Sequence, residues 1–121
     1  MLNLDTHILL FALKGELTAK EEKILSHHQW SIASIVLWEI AKLSQLHRID
    51  IDLNDAETVR ILSKIYTWPL DLKVCQTLEK LDFEGDPADE IIAATSIVHQ
   101  IPLLTRDRKI LKSKIVPFAN I

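Results

Sequence analysis

Leu2 and Leu4 alternate with Asn3 at the head of the chain, which predicts a short strand ending at Asp5, and the run Thr6 to Leu13 reads as a helix entered directly from it. Thr18-Ala-Lys-Glu21 has capping-box spacing and predicts a helix to about His28. Trp30 to Ala33 is a second strand, with Ser34 capping the helix that carries SIVLWEIAKLSQL. Asn54-Asp-Ala-Glu57 repeats the capping-box pattern ahead of Val59, Leu62 and Ile65, and Pro69 closes that outer helix before another bearing Val74, Leu78 and Leu81. Asp86, Pro87 and Asp89 fit the N-cap, first and third positions of a helix whose Ile91, Ile92, Ala94 and Val98 are apolar. Ile101 to Thr105 is an apolar run of strand length, followed by a short basic helix and a last strand, Ile115 to Phe118. Strands alternating with helices predict an α/β fold in which a parallel sheet is covered on both faces. With no internal repeat, low-complexity segment or boundary signal, residues 1–121 read as a single domain.

Composition narrows this picture. Of 121 residues, 48% are hydrophobic and 26% charged, with only 2 Gly and 4 Pro, the make-up of a folded, helix-rich protein rather than a disordered one. Two glycines cannot make a glycine-rich phosphate loop, and the one cysteine, Cys75, excludes an internal disulfide and a multi-cysteine zinc cluster. A reducing, cytoplasmic setting fits, and the opening residues lack the basic region of a secretory signal. No apolar run approaches the roughly 20 residues needed to cross a bilayer. The formal net charge of −3 means that a nucleic-acid partner would have to be held by a local basic patch or by bound cations.

Ligands of parallel α/β sheets gather at the carboxyl ends of the strands, where Asp5 and Asp107 both fall. Each can be a helix N-cap, and each can belong to a site. Glu39 lies on or beside the apolar stripe of Val36, Ile40 and Leu43, so its charge needs a partner, either Lys42 one turn on or a bound metal. Capping accounts for Asp86 but not for Asp89 and Glu90 crowding the same turn, since like charges at that spacing repel. Arg106, Arg108, Lys109, Lys112 and Lys114 make either a solvated helix face or a track for phosphates. The histidines form no zinc-binding spacing, and Trp30, Trp38 and Trp68, set among aliphatics, are expected to pack in the core rather than stack on bases.

The segments LDTHILLF, SIVLWE, DPADEIIAAT and LLTRD, in that order, resemble the PIN-domain ribonucleases and, at this length, the VapC-type toxins of toxin–antitoxin pairs. The resemblance runs from Leu4 to about Phe118. It implies an α/β/α sandwich with a central parallel sheet, and a pocket in which Asp5, Glu39, Asp89 and Asp107 hold Mg²⁺ or Mn²⁺ for hydrolysis of RNA phosphodiester bonds. It further implies that Asp86 is a cap or outer support and that Thr6, Ser34 and Thr105 orient the acids; beside such a pocket, Arg106, Arg108, Lys109 and Lys112 are expected to meet the RNA backbone. A cognate antitoxin protein and a homodimer follow from the same resemblance. Two departures stand out: Glu90 occupies a position that is often Arg, and LSQLHRIDID replaces a Gly-containing turn. The competing readings are a phosphoacceptor receiver-like domain, which expects paired acids after the first strand and a Lys after the last core strand, and a non-catalytic interaction module, which expects a missing acid.

Overall fold

The computed structural model describes residues 1–120. Four strands, β1 (Leu2–Leu4), β2 (Trp30–Ala33), β3 (Tyr66–Trp68) and β4 (Leu103–Leu104), form one parallel sheet in the order β3-β2-β1-β4. Asn3 stands opposite both Ser31 and Leu103, so β1 is flanked on both sides. The helices are α1 (Thr6–Lys14), α2 (Ala19–Ser26), α3 (Ser34–Gln45), α4 (Ala56–Leu62), α5 (Leu72–Thr77), α6 (Pro87–His99) and α7 (Arg108–Leu111), with a 3-10 turn at Leu78–Lys80.

An all-parallel sheet leaves no face for water, and the strands accordingly carry buried side chains on both sides: Leu2, Leu4, Ile32, Leu103 and Leu104 are all buried. Ile8 and Leu9 of α1, Val36 and Ile40 of α3, and Ile92 and Ala93 of α6 complete the same core. Each fully buried aliphatic of this size contributes about 1.5–3 kcal/mol from leaving water. Two polar side chains inside the sheet hold their neighbours: Ser31 Oγ donates to Leu2 O at 2.7 Å, and Asn3, whose Oδ1 has no partner among the described residues, donates from Nδ2 to Ile92 O at 3.1 Å and Ser96 Oγ at 2.9 Å. Asn3 thereby pins α6 against the central strand. Among the described residues no helix is long and apolar enough to cross a membrane.

The chain departs from the sequence expectation at several places. The outer helix expected to reach Ile65 stops at Leu62, and Tyr66–Trp68 pairs with β2, as suits a β-branched and aromatic run held by the following Pro69. The expected last strand contracts to one bridge between Leu103 and Phe118, because Pro117 has no N–H to extend the ladder. The Thr18–Glu21 capping box forms in full, but in the second such motif Asp55, not Asn54, caps the helix by accepting from Thr58 N. Ser34 is not a cap either: it is the first residue of α3, and Ala33 precedes it without a side-chain bond.

Candidate functional site

β1 and β4 end side by side, and each delivers an acid to the same edge. Asp5 is 4% exposed and caps α1: its Oδ1 accepts from Thr6 N at 2.8 Å, and its Oδ2 accepts from the Thr105 hydroxyl at 2.6 Å. The same hydroxyl accepts from Asp107 N at 3.0 Å. Asp107 caps α7, its Oδ1 accepting from Lys109 N and Ile110 N at 2.8 and 3.2 Å. Both acids are therefore N-caps and also neighbours. Burial pushes the Asp5 carboxyl above the ordinary aspartate value, against the pull of the Thr105 and Thr6 hydrogen bonds, and the charge of Asp107 adds to the rise.

Glu39 reaches the same region from α3, where the buried Val36 and Ile40 fix the helix face. Its hydrogen-bond partner within the protein is not Lys42: the Thr6 hydroxyl donates to Glu39 Oε1, while Lys42 Nζ donates to Gln45 Oε1 at 3.3 Å. Burial raises the Glu39 carboxyl, and the charges of Asp86 and Asp5 raise it further.

The fourth acid comes from α6. Asp86 is the N-cap, accepting from Asp89 N at 3.0 Å, and Pro87 follows in the first turn. Asp89 is pushed up from 3.8 to about 7, first by burial and then by the charges of Asp86, Asp5, Asp107 and Glu39. One carboxyl on α6 thus senses acids borne by the ends of β1 and β4 and by α3. Gly85 keeps the preceding loop close, since a Cβ there would lie 3.3 Å from Asp89 Cβ. Glu90 Oε2 accepts from Gly85 N at 3.1 Å and closes the loop.

All-oxygen, carboxylate-rich donors suit a hard divalent cation, and the mutual repulsion that adds to burial in raising Asp89 is what such a cation relieves. The donor chemistry fits Mg²⁺ or Mn²⁺. The side chains do not converge on one point: among the described residues no three of the Asp, Glu, His or Cys groups are disposed to enclose an ion. Asp5, Asp86 and Asp107 each turn an oxygen to a helix amide, and Glu39 turns one to Thr6. Ser34, expected beside the acids, makes no hydrogen bond to them among the described residues.

Of the basic residues, Arg106 is not a free cation. Its guanidinium makes a two-pronged contact with Glu21, Nε to Oε2 at 2.8 Å and Nη2 to Oε1 at 2.6 Å, and lies 3.9 Å over the Phe11 ring. Glu21 is 3% exposed, and this pairing holds its carboxyl below the usual glutamate value. Arg108, Lys109 and Lys112 are exposed on and just after α7 and form no ion pair among the described residues. Two further residues border the site. His7 is exposed and lines, with Asp5, Phe11, Arg106 and Asp107, a hollow of about 240 Å³. Trp38, expected in the core, is 58% exposed at the mouth of a second hollow of about 450 Å³ that Glu39 and Asp86 share.

The PIN domain family model matches residues 3–114. The chain is 29% identical over 113 residues to Ribonuclease VapC22 of Mycobacterium tuberculosis, covering 88% of this chain and 87% of that protein. In three dimensions it resembles a toxin–antitoxin complex from Klebsiella pneumoniae, with a TM-score of 0.75 and 19% identity over 98% of this chain and 97% of that one. VapBC2 from Rickettsia felis, solved bound to a DNA fragment from their promoter, also gives a TM-score of 0.75, with 18% identity over 100% and 99% of the two chains.

Proposed function

Given that the chain belongs to the PIN domain family, we propose that it is a divalent-metal-dependent endoribonuclease acting as the toxin of a toxin–antitoxin pair. The observation that carries the proposal is the gathering of Asp5, Glu39 and Asp107, from three separate elements, within charge range of Asp89, where they add to burial and to Asp86 in raising its carboxyl. A protein whose acids served only as caps would have no reason to gather them within range of one another's charge.

On this reading Asp5, Glu39, Asp89 and Asp107 hold Mg²⁺ or Mn²⁺. Such an ion, when bound, supplies positive charge for the scissile phosphate and polarises the attacking and leaving oxygens. Thr105 and Thr6 orient Asp5 and Glu39 by donating to one oxygen of each, the supporting part that outer hydrogen bonds play around metal ligands. Asp86 braces the first turn of α6 and so the approach of Asp89. Arg108, Lys109 and Lys112 bind backbone phosphates, giving an otherwise acidic molecule a local cationic surface. The likeness to a toxin–antitoxin complex from Klebsiella pneumoniae and to VapBC2 from Rickettsia felis supports a cognate antitoxin as partner. A homodimer would cover apolar side chains exposed around edge strand β3 and the start of α5, among them Tyr66, Leu70 and Leu72.

The deciding experiment incubates the purified chain with RNA in Mg²⁺ or Mn²⁺. Cleavage is expected that stops with a chelator, returns with the ion, and falls at least about a hundredfold in Asp5→Asn and Asp89→Asn while circular dichroism stays unchanged. Undiminished cleavage by both variants overturns the assignment.

A further inference from the structure

We propose that the hollow at Trp38 seats an unpaired nucleobase of the RNA next to the acid cluster, an assignment that rests on the nuclease reading above. Trp38 directly precedes Glu39 on α3, and its indole is 58% exposed. The other two tryptophans are occupied within the fold. Trp30 Nε1 donates to Leu25 O at 2.9 Å, and Trp68 stacks on His99 at 4.0 Å with Tyr66 edge-on at 4.6 Å. An indole left in water at the border of a charged site is a large apolar surface that a flat partner can cover.

The walls of the hollow define that partner. Ile35, Trp38, Pro87 and Ala88 give an apolar lining, and Glu39 and Asp86 close one side with carboxylates. Each of these carboxylates binds the protein through one oxygen, to Thr6 Oγ1 and to Asp89 N respectively. An occupant must therefore offer a broad flat face to the indole and N–H donors along an edge to the acids. Nucleobases have both, and stacking on an aromatic side chain tolerates any base. An aliphatic or acidic side chain from a protein partner would bring no donor to Glu39 or Asp86 and would leave their charge desolvated; an arginine would bring one, and the antitoxin arm of the test below separates it from a base.

Position points the same way. The acids divide between two hollows: Glu39 and Asp86 line the one at Trp38, while Asp5 and Asp107 line the one at the start of α7. A single strand whose phosphate lies over the acids would have the cations of α7 on one flank and Trp38 on the other. The indole would then hold the base beside the phosphate under attack and fix the register of the strand.

The test uses the intact chain, Mg²⁺ and a short single-stranded oligoribonucleotide of mixed sequence. Binding should quench tryptophan emission in the unaltered protein, and Trp38→Phe should remove that quenching. In cleavage, Trp38→Ala should lower kcat/KM about tenfold, within the range for one stacked base, whereas Trp38→Phe should remain within about threefold of the unaltered chain. Circular dichroism and melting of the variants verify folding, which an exposed position preserves. If the unaltered chain cuts RNA and Trp38→Ala cuts it equally well, the base seat is wrong and the nuclease reading stands. If no RNA is cut yet the oligonucleotide still quenches Trp38, the seat stands and the nuclease reading falls. Unchanged RNA cleavage by Trp38→Ala together with weakened binding of the antitoxin would assign the hollow to the protein partner and overturn the proposal.

Discussion

The Thr6 hydroxyl donates to Glu39 Oε1, so the turn that follows Asp5 also aims the acid arriving from α3. Thr6 is 1% exposed, and its backbone N–H is already given to Asp5 Oδ1. One residue thus holds two carboxylates in relation to each other through two different atoms.

Thr6→Val keeps the shape of the side chain and removes the donor. Loss of such a supporting bond is expected to lower divalent-ion affinity and RNA cleavage by about 10–100-fold. Thr6→Ser should recover most of the activity, because it restores the hydroxyl. A role in packing alone would give the opposite order, with Val tolerated and Ser defective, so titration of Mn²⁺ activation in the two variants separates them.

Proton linkage at Asp89 gives a second prediction. A carboxyl raised from 3.8 to about 7 in the fold keeps a proton that the unfolded chain has already released. The folded state therefore binds more protons across that interval, and stability falls as pH climbs from about 4 to about 7, then levels off. Asp5 and Glu39 are raised as well and act in the same direction. A divalent ion competes with the proton, so its binding should strengthen over the same interval. In a chelator, Tm should decline from about pH 5 to about pH 8, and the decline should shrink with saturating Mg²⁺ or in Asp89→Asn. A flat Tm profile for the unaltered chain in chelator would refute the coupling.

The basic residues near β4 should separate into two classes. Lys109→Ala and Lys112→Ala remove exposed charges and should leave Tm unchanged, while each reduces the salt dependence of RNA binding by about 0.7 in log–log slope. Arg106→Ala instead strands the buried Glu21 carboxylate and should cost about 1–3 kcal/mol in denaturant unfolding. Its measured effect on RNA would then track destabilisation. Equal stability of Arg106→Ala and Lys109→Ala would show that the Glu21 contact is idle.

How far these features were legible in the sequence depends on their range. Asp5 and Asp107 could be read because a carboxylate directly after a short apolar strand has a position that local pattern fixes, and the parallel α/β alternation followed from the same pattern. Glu39 was legible as a charge beside an apolar stripe, but its tie to Thr6 spans 33 positions and no local spacing encodes it. Arg106 stood out only as one of a basic group, because Glu21 lies 85 positions away. Trp38 was misjudged because aliphatic neighbours along the chain say nothing about which side of α3 the rest of the fold covers. Strand β3 was missed because Ile65 extends the preceding helical spacing, whereas the aromatic run from Tyr66 is satisfied by pairing with β2.

The placement of β4 beside β1 governs when the acidic edge comes into being. Thr105 meets Asp5 across 100 positions, and on the same side of β1 Asn3 and Leu4 pair with Leu103 and Leu104. During translation, the first strand leaves the ribosome long before the last can join it, and closure over so wide an interval must await nearly all of the polypeptide. A nascent chain would therefore carry Asp5 without Thr105 and Asp107 beside it until almost all of the polypeptide has been made.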